Sequence, residues 1–262
     1  MTNKKFKLAA MSLATAVAVS AVGPSASAVT YQLENGDVTV AENENGAFSY
    51  QGEDKDENRT YVDKDTEDNG QIIIKQTEGT TTDNTVTVEE NVTNKNGDRD
   101  VDIIIDGVNV DTSDTSTQTD TPTEVPADTK EDKTIIKVGE GADVDLTVKD
   151  SKLTTGGHGI DIGVNLEGED DNKGANVDLT LDNTQINLTQ NGKAGINVQD
   201  NSNVDLTLKG ENAIDGSAAI ENEKENILKN NVNVEGIRVG DGGASDGSGT
   251  SEGADTKLTI SG

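Results

Sequence analysis

The chain has 262 residues, 50 acidic against 21 basic, a formal net charge of −29, no cysteine and only 2% aromatic residues. A surface this acidic repels nucleic acid and anionic lipid and attracts cations, and the absence of cysteine excludes disulfides and thiolate metal sites. Low hydrophobicity at this charge ordinarily leaves a chain disordered, so order has to come from where the apolar residues stand.

Lys4, Lys5 and Lys7 open the chain with a basic segment. Leu8 to Val22 is apolar, and Ala26-Ser27-Ala28 supplies the small residues of a cleavage site. This is a secretory signal pattern, too short and too rich in small residues for a good membrane span. Residues 1–28 are expected to be removed. The mature chain is then secreted or held at the cell surface, with no membrane insertion after cleavage.

Residues 29–84 are irregular and read as an N-terminal cap or first coil, with a loose acidic loop at 52–70. Asp63, Asp65, Glu67 and Asp68 begin like a calcium-binding EF-hand loop. The pattern fails because Asp68 stands where glycine is needed and Ile74 where glutamate is needed.

From 85 to 262 the chain repeats. One phrase reads Val101-Asp102-Ile103-Ile104-Ile105, Val144-Asp145-Leu146-Thr147-Val148, Val177-Asp178-Leu179-Thr180-Leu181 and Val204-Asp205-Leu206-Thr207-Leu208, with a degenerate last copy at Thr256–Ile260. Its alternation predicts half-buried strands. A second phrase precedes each copy: Thr85–Val88, Ile135–Val138, Gly159–Ile162, Gly195–Val198 and Gly236–Val239. A weaker third strand follows at Val108–Val110, Ser151–Leu153, Thr184–Ile186 and Asn212–Ile214. The fixed order predicts an all-β, right-handed parallel β-helix (a β-solenoid) with an N-terminal cap and long acidic loops. A β-sandwich is the alternative, since short alternating strands suit it too. Residues 112–133 carry Pro122 and Pro126 in a low-complexity stretch and read as a disordered insertion within the repeat region.

Stacking of like phrases would place Asp102, Asp145, Asp178 and Asp205 in one outward column, with neighbours about 4.8 Å apart. Lys257 is aligned with the aspartates in the last copy. Such a column is either a ladder of Ca²⁺ ions, which favour several carboxylate oxygens, or an acidic stripe that keeps a β-rich surface soluble. Glu167, Glu169, Asp170 and Asp171 form a second candidate calcium cluster in one loop. A mixed column of Lys137, Asp161, Asn197 and Arg238 would either pair along its length or contact a sugar chain. Catalytic constellations are scarce. His158 is the one histidine and reads as a turn residue, and Arg238 beside the acidic columns is all that a polysaccharide lyase could use.

Thr85-Val86-Thr87-Val88 followed by Val101–Val110, and Val204–Asn212 followed by Gly236-Ile237-Arg238-Val239, resemble the coils of secreted bacterial carbohydrate-binding domain proteins with a right-handed parallel β-helix. The resemblance covers about 71–262. It implies acidic plant polysaccharides as ligands and calcium as the ion. The expected function is therefore a non-catalytic binding or surface protein that recognises an extracellular glycan or cell-surface component through calcium. A structural adhesin or stalk segment is the alternative, and a polysaccharide lyase the third reading.

Overall fold

A computed structural model describes residues 28–44, 46–52, 59–61, 71–93, 101–113, 133–166, 173–222, 234–240 and 256–262. The signal segment short of Ala28, most of the 112–133 insertion, Asp63 to Asp68 and the cluster Glu167, Glu169, Asp170 and Asp171 lie outside these residues.

The described chain is nearly all β, with one short helix at Ser217–Asn222. Its strands form three sheets of seven, four and eight strands. The first sheet takes, in order, Val29–Gln32, Ile72–Lys75, Val101–Asp106, Asp143–Lys149, Asn176–Asp182, Asn203–Lys209 and Lys257–Ser261. The second takes Asn109–Asp111, Lys152–Thr155, Gln185–Leu188 and Ala213–Asp215. The third runs through Val38–Asn43, Val86–Val88, Ile136–Gly139, Ile160–Val164, Ala194–Val198 and Glu235–Val239. All these neighbours pair in parallel. From Val101 onward the chain visits first, second and third sheet in turn, then returns to the first one position along.

Register follows the repeated phrases. Val144 pairs with Val101 and Val177, and Leu146 with Ile103 and Leu179. Each of these apolar side chains is buried. They join one continuous core with Leu153, Ile160, Ile186 and Ile196 from the other two sheets. Burying an aliphatic side chain contributes roughly 1.5–3 kcal/mol, which is how a chain poor in hydrophobic residues still forms a core.

The corners need left-handed backbone. Between first and second sheet, Gly107, Asp150, Asn183 and Gly210 hold φ of 69°, 49°, 53° and 64°. Between third and first, Asn91, Gly141, Gly174 and Asn201 hold 57°, 69°, 64° and 60°. Glycine, asparagine and aspartate are the residues that accept this conformation at least cost. The side chains also bond along the corner: Asn183 Nδ2 donates to Asp150 Oδ1 at 3.3 Å, and the Glu211 N–H donates to Asn183 Oδ1 at 3.0 Å.

Val29–Gln32 and Val38–Asn43 supply strands to the first and third sheets. The chain then reverses, so that Gly46–Gln51 and Thr60–Tyr61 extend the third sheet with antiparallel pairing. Ala41, Phe48 and Tyr50 form a second small core there. The Phe48 and Tyr61 rings stand 5.5 Å apart, and the Arg59 guanidinium lies 5.0 Å over Phe48.

Candidate functional site

The outer face of the first sheet carries columns of equivalent side chains. Asp102, Asp145, Asp178 and Asp205 are register partners in series. Two residues along each strand, Ile104, Thr147, Thr180 and Thr207 form the next column. Together these columns line a shallow groove of about 400 Å³. A third column differs in sign pattern: Lys75, Asp106, Lys149, Asp182 and Lys209 alternate. Within it, Asp106 is 3.5 Å from the Lys75 ammonium and 3.2 Å from that of Lys149. On the other flank, Asn203 Nδ2 donates to Asn176 Oδ1 at 3.2 Å.

One expected position moves. Lys257 pairs with Asn203, and Thr259 stands beside Asp205. The last copy is therefore shifted by two residues from the sequence alignment. A two-residue shift keeps every side chain on its own face, so alternation alone does not detect it. The consequence is that the aspartate column ends on a hydroxyl rather than on a neutralising ammonium.

The carboxylates and hydroxyls of the groove are hard oxygen donors suited to calcium. Among the described residues, however, no three carboxylate or imidazole groups converge on one point. A cation here would meet protein oxygens from one side and open space from the other.

The mixed column assembles on the third sheet as expected: Lys137, Asp161, Asn197 and Arg238 are successive register partners. Its middle is closed off. Asp161 and Asn197 are only 8% and 4% exposed. Asp161 Oδ1 accepts from Asn197 Nδ2 at 2.8 Å and from Gln199 Nε2 at 3.0 Å. Arg238 is engaged as well, with Nε 2.5 Å from Glu235 Oε2 and Nη2 3.0 Å from the Gly192 carbonyl. It does not flank the acidic column. The two phrases belong to different sheets, which places Arg238 on the third and the aspartates on the first.

His158 joins this cluster, a role the sequence did not indicate. Its Nδ1 accepts the Ala194 N–H at 3.0 Å. Burial holds its pKa below the ordinary value. Asp161 opposes that shift, while Lys193 and Arg238 reinforce it.

Compared with protein families, with curated proteins and with solved structures, the chain matches none.

Proposed function

We propose that the protein is an exported, non-catalytic right-handed parallel β-helix that binds divalent cations along its aspartate column and, through them, an acidic polysaccharide. The cyclic visiting order of the three sheets supports a solenoid, and parallel crossovers take the right-handed path in about 98% of cases. One observation carries the cation reading. The same sheet face that alternates lysine and aspartate from Lys75 to Lys209 leaves Asp102, Asp145, Asp178 and Asp205 unalternated. Two unit charges about 4.8 Å apart repel by roughly 1 kcal/mol in water and more where the dielectric is lower. A cation between them reverses that sign. Calcium takes 6–8 oxygens, and a one-sided row of carboxylates leaves positions for the carboxylates and hydroxyls of a sugar chain.

The test is binding of the mature protein to polygalacturonate with calcium and with a chelator. Binding lost on chelation supports the reading. Binding that survives chelation removes calcium from it. No binding in either condition favours the stalk reading.

A further inference from the structure

His158 is the single histidine of the chain and stands in the turn between Lys152–Thr155 and Ile160–Val164. It ties three successive levels together. Its N–H donates to Thr134 Oγ1 at 3.3 Å, its carbonyl accepts the Ile135 N–H at 3.3 Å, and Nδ1 accepts the Ala194 N–H at 3.0 Å. An imidazole nitrogen accepts a hydrogen bond only while it carries no proton. The bond to Ala194 therefore fixes the neutral ring with its proton on Nε2.

The charged groups around the ring come from three places: Asp161 on the strand Ile160–Val164 that follows, Lys193 in the turn before Ala194–Val198, and Arg238 on Glu235–Val239. The Thr134–Ile135 segment presents a hydroxyl and an apolar side chain. The turn that His158 holds also anchors the next level. The Glu235 N–H donates to the Lys193 carbonyl at 3.2 Å, and Arg238 Nη2 donates to the Gly192 carbonyl at 3.0 Å.

We propose that His158 is a proton-operated clasp: on acidification Nδ1 takes a proton, becomes a donor facing the Ala194 N–H, and loses its hold on Ala194 and on the Gly192–Lys193 turn whose carbonyls anchor Glu235 and Arg238. His158 is the one histidine of the chain, and so its one side chain whose ordinary pKa lies close to neutrality. The transition falls below 6.5, the ordinary imidazole value, because burial, Lys193 and Arg238 all disfavour the charged ring and outweigh Asp161.

The experiment is an NMR titration of the full chain that follows the His158 ring nitrogens and the Ala194 amide together. The two signals are expected to move with one midpoint below the ordinary imidazole value. Asp161→Asn should lower that midpoint and Arg238→Gln should raise it. His158→Asn keeps an acceptor oxygen near the Nδ1 position without a titrating proton, so the Ala194 amide should stay still over the same range. An Ala194 amide that ignores the ring's titration overturns the proposal, as does one that still shifts in His158→Asn. If the His158→Asn protein does not fold, the titration of the unaltered chain decides alone.

Discussion

Asp145 lies in register beside Asp178 on the outer face of the first sheet, while four residues further along the same two strands Lys149 lies beside Asp182. One strand pair thus carries a like-charged and an opposite-charged contact at the same spacing. Cross-strand neighbours of opposite charge stabilise a sheet and like charges weaken it, so the aspartate pairing costs stability unless something neutralises it.

Asp178→Asn, which removes the charge flanked by Asp145 and Asp205, should therefore raise stability in chelator at low salt. The gain is expected to be about 1 kcal/mol. It should shrink in 1 M salt, where the screening length falls to about 3 Å. Urea unfolding at both salt concentrations checks this.

Leu146→Ala should destabilise the fold by about 2–5 kcal/mol, because the side chain is buried and leaves a cavity between Ile103 and Leu179. The loss is read from the urea midpoint at unchanged slope.

The corner glycines are expected to separate into two kinds. A Cβ on Gly107 meets nothing within 4 Å, and Asp150 and Asn183 already occupy the equivalent corner at positive φ. Gly107→Asn should thus be nearly neutral. A Cβ on Gly174 would lie 2.2 Å from the Asn201 backbone, so Gly174→Ala should destabilise strongly. Thermal unfolding of both variants tests the contrast.

Glu34 should contribute to the acid limb of stability. Burial works to raise its carboxyl, but hydrogen bonds from the Thr77 hydroxyl and from the Glu34 and Thr77 backbone hold it below the ordinary 4.5. A carboxyl depressed in the fold stabilises above its unfolded pKa, and that contribution is lost as pH falls through the folded value. Glu34→Gln should flatten the stability profile below about pH 4.5, measured by denaturant unfolding across that range.

Much of this architecture is legible in the chain. The alternation in Val144–Val148 and its copies identifies which residues face the core, and the phrase order anticipates the three sheets. The shift of Lys257 is not legible, because a period-two pattern is blind to displacement by two. The burial of Asp161 and Asn197 escapes it too, since an alternating phrase marks those positions as outward while the third sheet is covered on both faces there. The antiparallel reversal after Val38–Asn43 is not legible either, because residues 29–84 lie outside the repeated phrases. The alternating column from Lys75 to Lys209 appears only once register is known, because its members lie outside the shared phrase.

Calcium titration by calorimetry addresses the acidic groove most directly, comparing the unaltered protein with Asp145→Asn/Asp178→Asn and with Asp83→Asn/Asp111→Asn, which removes two charges away from the groove. Saturable heat in the first and third proteins and none in the second is the expected result. Equal heats in all three, or none in the unaltered protein, would contradict a cation-binding role for the aspartate column.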